Sequence, residues 1–458
     1  MKKVISQYTK NPETDTEYFL SEDSVFYDFL NKLDLPKAWD LEFTINIKTL
    51  LDMLIMAIKD YSISYQRKML TDDTKKLKQL LDEYTDANVK LNLNPTNQYL
   101  KIENNNRLEK YQDELKVQRQ KSLYRTKFIE KLHGERTNKT LCSLDRAKAS
   151  QRYIGILSKT LADRSTIQLK TQKEVDEEIY KYYHELFAKD NLTDDGKIEN
   201  FIDPNLIPKP SDQQADEIEL PFTEAELKEV LRKTKNNSSP GPTGIPFTFY
   251  KIFWEDLKGL LLKVSHEVFR SKSLPMLQQL GTLCLIPKGD KDRLELNNWR
   301  PLTLLSCVYK LYSGVIAQRL NKVLPKIISN SQFGFVKGRY IGEAIRTTYD
   351  AMEYAKQSKR ASILLLIDFR KAFDSLSHEF IQSCLKHFGF KENIQQWITI
   401  LIEKFSININ NGGNLSQTIP IGKGCKQGDP ISSCLFILGI EILSLKLKHD
   451  DRIKGMII

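Results

Sequence analysis

The stretch that decides the fold reads ILLLIDFRKAFDS and runs from Ile363 to Ser375. Its first five residues are large and apolar, and Asp368 follows them directly. A continuous apolar run of this length predicts a central strand that is buried on both faces of a sheet. The carboxylate of Asp368 would then be held at the end of the sheet, where a hard cation such as Mg²⁺ can bind. A strand-end carboxylate is also a common structural cap, so the run alone leaves both interpretations open.

The flanking sequence predicts a mixture of helices and strands. Thr223 and Glu226 form a capping box for a helix that ends near residue 235. Two glycines interrupt an otherwise strand-like stretch at 405–421, which predicts a β-hairpin. Asp429 is placed to cap a later helix with a buried apolar stripe. Strands and helices interleave without regular βαβ units, which favours an α+β domain.

Six blocks of sequence, taken in order, resemble one protein family. They are SPGPTGI at 239–245, LIPK at 285–288, NWRPL at 298–302, SQFGF at 331–335 with Gly338 and Arg339, the block at 368–375, and KQGDPIS at 426–432. The block at 368–375 resembles motif A of reverse transcriptases, in the form used by non-LTR retrotransposons of the long interspersed element (LINE) type. KQGDPIS resembles motif B. The resemblance covers about 236–458 and extends more weakly over 124–187.

The resemblance implies an α+β right-hand polymerase with fingers and an incomplete palm, preceded by a mainly α-helical region. Residues 1–190 are then a helical, basic region, since 101–150 holds 13 Lys/Arg against 7 Asp/Glu. Residues 191–221 read as an acidic loop and linker. We predict the N-terminal part of the fingers at 222–267. The reverse transcriptase domain follows at 268–458, with fingers and a partial palm but no thumb.

The family's metal site is carried over to Asp368 alone. The first acid of motif A binds both catalytic Mg²⁺ ions in this family, so Asp368 is the candidate catalytic and metal-binding residue. The family also has motif C, an aromatic-x-Asp-Asp hairpin that supplies the other carboxylates, and no such motif is found here. The late pair Asp450-Asp451 follows Lys448-His449 rather than an apolar strand. The resemblance therefore implies a two-metal site that is incomplete, in a fragment without useful polymerase activity.

The candidate nucleotide-binding residues also come from the resemblance. Lys288 and Arg300 match fingertip positions that contact the incoming triphosphate, and permanent cations suit that charge. Phe373 matches the aromatic residue that abuts the sugar and would clash with a 2′-hydroxyl. Gln427 and Gly428 match positions that pack against the template–primer base pair. The structural alternatives are a surface lysine, a core phenylalanine and a simple turn.

Composition limits the classes of function. The 458 residues carry 69 Lys+Arg against 59 Asp+Glu, a net charge of +10 at pH 7. That balance suits a nucleic-acid partner, and the resemblance implies an RNA template, a DNA primer and deoxynucleoside triphosphates. No apolar run approaches the ~20 residues that a membrane span needs, so no membrane partner is expected. The oligomeric state is left open. A location in the nucleus and cytoplasm is implied by the family rather than by a targeting motif.

Four functional hypotheses remain from the sequence. The first is an RNA-directed DNA polymerase domain of a non-LTR retrotransposon that performs two-metal nucleotidyl transfer in its intact form. The second is a non-catalytic remnant that binds RNA or DNA, whose affinity would fall steeply with salt. The third is a group II intron-type maturase, which the forms of Trp299-Arg300-Pro301 and of motif A favour less. The fourth is an unfolded pseudogene product without function.

Overall fold

The computed structural model describes residues 46–126, 153–160, 165–189, 195–236, 238–359 and 361–453. Predictions that fall on 1–45 and 127–152 lie outside the described residues. The chain divides into a larger unit, Met1–Ile55 with Ile154–Ile458, and a smaller unit, Met56–Tyr153. No helix among the described residues is both long and apolar enough to cross a membrane.

The smaller unit is built from two long charged helices. They are α1 (Ile47–Leu93), whose first residues belong to the larger unit, and α2 (Gln98–Thr126). Within the smaller unit Lys76 pairs with Glu114, and Arg107 pairs with Glu83. Such partly exposed pairs contribute little stability each. The prediction of a mainly helical N-terminal region is confirmed for these residues.

The larger unit contains eleven further helices among its described residues. They are α3 (Gln172–Phe187), α4 (Asp195–Phe201), α5 (Asp212–Glu219), α6 (Glu224–Lys233), α7 (Phe247–Ile252), α8 (Trp254–Ser271), α9 (Cys307–Ile327), α10 (Ile341–Gln357), α11 (His378–His387), α12 (Glu392–Ile402) and α13 (Ser432–Lys448). Helix α9 lies at the centre of the core, because fifteen of its residues are buried. The capping box predicted at Thr223 and Glu226 is confirmed at the start of α6.

Two sheets complete the larger unit. Strands β1 (Leu157–Thr160) and β2 (Thr166–Leu169) form an antiparallel pair. The second sheet has the order β4-β3-β5-β6, with β7 also paired to β5. Its strands are β3 (Leu280–Pro287), β4 (Trp299–Leu304), β5 (Ser406–Asn411), β6 (Asn414–Leu415) and β7 (Ile419–Pro420). Strand β3 pairs antiparallel with β4 and parallel with β5, which confirms a mixed α+β architecture.

The strand predicted at Ile363–Ile367 is wrong. Residues 361–369 adopt no regular secondary structure, and the five apolar side chains are 54 to 95 % exposed. A strand is stable only when neighbours satisfy its backbone N–H and C=O groups. The two sheets of the described residues offer no partner to this run. An apolar run predicts burial, but a neighbouring strand is needed to provide it.

Two further expectations need correction. The range 191–221 reads as a loop, yet α4 and α5 lie within it, and Ala215 and Ile218 are buried. Polar residues of this range cap a helix there, because Ser211 forms a capping box with Gln214 at the start of α5. Asp429 does not cap α13, which begins at Ser432, because its carboxylate is used inside the core.

Candidate functional site

The loop that follows the exposed run turns back into the core at Asp374. Lys371 has a φ of 53°, a left-handed conformation that is uncommon for residues other than glycine. This turn lets the amide of Asp374 donate to the carbonyl of Lys371 at 2.9 Å. Asp374 is only 3 % exposed, whereas Asp368 is exposed on the irregular segment. The sequence places Asp368 at the end of a buried strand, and that placement is wrong.

The loop 424–428 packs directly against this turn. The amide of Cys425 donates to the carbonyl of Phe373 at 2.6 Å. Gly424 has a φ of 89°, and a Cβ there would lie 2.7 Å from the carbonyl oxygen of Asp374. Glycine is therefore required at this position both for its backbone conformation and for space. The side-chain amide of Gln427 lies 3.4 and 3.5 Å from the two carboxylate oxygens of Asp374.

The same loop is joined to strand β4. The amide of Thr303 donates to the carbonyl of Gln427 at 2.8 Å. Gly428 has a φ of 111°, and a Cβ there would lie 2.8 Å from the carbonyl oxygen of Thr303. Gln427 and Gly428 thus occupy a junction between the turn at Asp374 and the sheet. Gly428 itself is exposed, which leaves its backbone accessible to a ligand.

The two predicted cations lie on the hairpin made by β3 and β4. Lys288 follows β3 directly, and its amide donates to the carbonyl of Asn298 at 2.8 Å. Its ammonium group donates to the carbonyl of Asn297 at 2.8 Å. Arg300 lies on β4 opposite Ile286 and is exposed. Both cations are therefore carried by one hairpin, as the resemblance implies.

Phe373 lies between two other aromatic rings. Phe335 meets it edge to face at a centroid distance of 5.9 Å, and Phe436 of α13 lies 4.8 Å away. Phe373 is half-buried, so one part of the ring packs and another part reaches the surface. Its two predicted interpretations, a core residue and a contact to a ligand, are both compatible with this position.

The pKa values of two charged residues at this site, Asp374 and Lys371, are shifted toward neutral pH. Burial raises the pKa of Asp374 to about 6, against the opposing effect of Lys371, Gln427 and Lys288. Burial likewise lowers the pKa of Lys371 to about 8, although Asp374 opposes that change. Desolvation penalises both charges and their attraction offsets only part of that penalty. The charge of Lys288 also acts on the pKa of both groups. Its hairpin reaches the turn through Asn297, whose side-chain oxygen lies 3.3 Å from the guanidinium group of Arg370.

The variant Asp374→Asn is expected to be more stable than the wild type at about pH 7.5 and no more stable at about pH 4. The pKa of Asp374 is raised from 3.8 to about 6, so the folded state binds this proton more tightly than the unfolded state. The stabilisation that this bound proton gives is fully present below the pKa of the unfolded state, 3.8, and is lost as the pH rises through the folded-state pKa of about 6. The gain at neutral pH is on the order of 1–3 kcal/mol.

Thermal unfolding of both proteins across this pH range measures the effect. Asp290→Asn changes an exposed carboxylate in the β3–β4 turn and is the matched control. A difference between Asp374→Asn and the wild type that does not vary with pH would contradict the assignment.

A buried ion pair that sequence reasoning missed lies behind the loop. Lys426 and Asp429 are both buried, and their charged atoms are 3.9 Å apart. The ammonium group of Lys426 donates to the carbonyl of Leu401 at 2.9 Å and lies 4.3 Å from the ring centroid of Phe405. The carboxylate of Asp429 accepts from the Tyr309 hydroxyl at 2.5 Å and from the hydroxyl of Ser313. The pair fixes the two ends of the segment that carries Gln427 and Gly428.

The carboxylates near the site do not fit a two-metal centre. Asp374 is buried against Gln427, and Asp368 is on the exposed segment. In the part of the chain that the structure describes, no group of three or more His, Cys, Asp or Glu side chains could hold a metal ion. A catalytic pair of hard divalent cations needs several oxygen ligands from such side chains. No metal-dependent step follows from these residues, and Mg²⁺ remains a prediction.

The part of the chain that holds this site is similar to a known protein family. Residues 286–453 match the family described as reverse transcriptase (RNA-dependent DNA polymerase). The matched range includes the site residues predicted from the sequence, from Lys288 to Gly428.

Individual relatives come from mobile elements. The chain is 28% identical over 327 residues to the uncharacterized 149 kDa protein of transposon TX1 from Xenopus laevis, covering 69% of this chain and 24% of that protein. It is 30% identical over 174 residues to the retrovirus-related Pol polyprotein from type-1 retrotransposable element R2 of Popillia japonica, covering 38% and 24%. A probable RNA-directed DNA polymerase from transposon X-element of Drosophila melanogaster is 26% identical over 233 residues, covering 48% and 24%. The chain spans about a quarter of the length of these relatives.

Proposed function

Since this chain contains a reverse transcriptase domain of the non-LTR retrotransposon type, we propose that it carries the substrate-binding part of an RNA-directed DNA polymerase. In this proposal β3 and β4 belong to the fingers, and the segment from 361 to 448 belongs to the palm. The described residues bind and position the substrates: an RNA template, a DNA primer and a deoxynucleoside triphosphate. The remaining carboxylates that nucleotidyl transfer needs are not among the groups that these residues bring together.

The observation that carries the proposal is the convergence on Asp374. Lys288 comes from the β3–β4 hairpin, Phe373 from the turn and Gln427 from the loop before α13. These three residues are far apart in the sequence, and the resemblance implies that all of them contact the incoming nucleotide or the base pair beside it. A triphosphate placed beside Lys288 and Arg300 would be neutralised by permanent cations. Its sugar would then face Phe373, and its base would lie over Gln427 and Gly428.

A binding experiment with a blocked primer tests the proposal directly. An RNA template is annealed to a DNA primer that ends in a dideoxynucleotide, so that nothing can be incorporated, and Mg²⁺ is supplied. We expect the deoxynucleotide that matches the template base to bind more tightly than a mismatched one or the matching ribonucleotide. Lys288→Ala is expected to weaken its affinity by about tenfold, because a charge-assisted contact is lost.

Lys291→Ala removes an exposed lysine three residues further along the same turn and is the matched control. It should leave the affinity near that of the wild type. Binding that ignores the template base, or an equal loss in both variants, would count against a templated nucleotide site.

A further inference from the structure

We propose that Tyr182 of helix α3 is a positioning residue that ties the turn 288–298 to the turn at Lys371. Tyr182 precedes the residues that match the reverse transcriptase family by about a hundred positions. Its hydroxyl nevertheless donates to the side-chain oxygen of Asn297 at 2.6 Å. It also accepts from the ammonium group of Lys371, which lies 4.2 Å from the centre of the ring. A tyrosine hydroxyl can donate once and accept at the same time, so both contacts can form together.

Asn297 links this tyrosine to the candidate nucleotide-binding cation. Its side-chain oxygen also lies 3.3 Å from the guanidinium group of Arg370. Its backbone carbonyl accepts from the ammonium group of Lys288 at 2.8 Å. A shift of Asn297 would therefore move the group that holds Lys288. Tyr182 acts on Lys288 through one intermediate residue, which makes it a positioning residue rather than a catalytic one.

Helix α3 gives Tyr182 a rigid support. The helix begins with a complete capping box at Thr171 and Glu174. One face of it is buried in the larger unit through Val175, Ile179, Tyr183 and Phe187. Tyr183 meets the ring of Tyr182 edge to face at 5.1 Å. The half-buried ring of Tyr182 is thus held by packing, and its hydroxyl can define a position in space.

Two other features support a fixed turn at this place. The amide of Ser158 in β1 donates to the carbonyl of Leu294 at 2.8 Å, so a second upstream residue holds the same turn. Lys371 keeps an uncommon left-handed backbone conformation. Such a conformation persists only where the surroundings specify it strongly. The contacts of Lys371 to the ring and hydroxyl of Tyr182 are part of that specification.

The inference rests on the proposed function in one respect: the fixed turn is expected to keep Lys288 in place for a triphosphate. Tyr182→Phe removes the hydroxyl and keeps the ring. Both hydrogen bonds of that hydroxyl are then lost, but only the one to Asn297 acts on Lys288. We expect the affinity for the matched deoxynucleotide on the blocked primer to fall about fivefold, which is on the order of one net hydrogen bond. The affinity for the template–primer duplex should stay unchanged. Tyr180→Phe, on the same helix, is the matched control and should change neither.

A double-mutant cycle separates positioning from a general loss of stability. If Tyr182 acts through the turn on Lys288, Tyr182→Phe should have no further effect on nucleotide affinity in the Lys288→Ala background. Independent losses that multiply in the double variant would overturn the proposal. Equal losses of duplex affinity and nucleotide affinity in Tyr182→Phe would overturn it as well.

Hydrogen–deuterium exchange of the free protein tests the tie without any nucleotide. Amides in 288–298 and 370–375 should exchange several-fold faster in Tyr182→Phe than in the wild type or Tyr180→Phe. Unchanged exchange would overturn the tie, whatever the nucleotide affinity. Faster exchange in a protein that shows no templated nucleotide binding would support the tie and count against the proposed function instead.

Discussion

The 458-residue chain is expected to add no nucleotide to a DNA primer on an RNA template in the presence of Mg²⁺. Asp368→Ala is expected to give the same result. The reason is that the described residues bring no three metal-binding side chains together. Loss of one pre-organised electrostatic group costs ~10²–10³ in rate, and a two-metal centre would lack more than one such group here.

Primer extension measures this, with the products separated by length. The template–primer affinity of the same preparations is the control, because it shows that the absence of product does not come from an unfolded protein. That affinity should fall steeply as salt is raised, as for a protein that contacts phosphates.

The opposite result would be equally informative. Incorporation by the wild type that disappears in Asp368→Ala would show that other carboxylates complete the metal site. The same incorporation in both proteins would remove Asp368 from the site altogether. Its position on the exposed segment 361–369 makes it the predicted site residue least supported by its surroundings.

Local sequence signals predicted local structure well. The hairpin at 405–421 follows from Gly412 and Gly413, which both have positive φ angles in the structure. The capping box at Thr223 needs only residues three apart, and it forms as expected. In both cases the deciding contacts lie within one element or one turn, so the sequence alone contains the information.

Local sequence patterns do not predict contacts between elements that are far apart in the sequence. The apolar run 363–367 predicts a strand, but whether a strand forms depends on a neighbour that no local pattern shows. Lys426 belongs to the block that resembles motif B and Asp429 reads as a helix cap. Their partners Leu401 and Tyr309 are 25 and 120 residues away, so no local pattern indicates the buried pair. Tyr182 gave no signal because its hydroxyl contacts Asn297, 115 residues further along the chain.

The candidate site could be predicted from the sequence only in part. The resemblance implies that Lys288, Phe373 and Gln427 contact one incoming nucleotide or the base pair beside it, but it does not say around which residue of this chain they meet. The structure brings the elements that carry them to Asp374. The burial that raises the pKa of Asp374 results from packing of three segments, and composition or spacing could not predict it.

Breaking the pair between Lys426 and Asp429 is expected to destabilise the larger unit strongly. Asp429→Asn leaves the buried ammonium group without its counter-charge. Lys426→Met leaves the carboxylate with neutral donors alone, namely the hydroxyls of Tyr309 and Ser313 and the amide of Ile431. Removal of one partner of a buried ion pair costs about 3–5 kcal/mol, because the other charge stays desolvated. Burial already lowers the pKa of Lys426, which shows the direction of that penalty.

The double variant should recover much of the loss, since a neutral pair no longer carries a desolvated charge. Chemical denaturation of the wild type, both single variants and the double variant gives the coupling free energy. Asp451→Asn, an exposed carboxylate beyond the end of α13, is the control and should change the free energy of unfolding by less than about 0.5 kcal/mol. Strictly additive single effects would show that the two charges do not stabilise each other. The loop that carries Gln427 and Gly428 would then be held in place by packing and backbone hydrogen bonds, such as the one from Thr303.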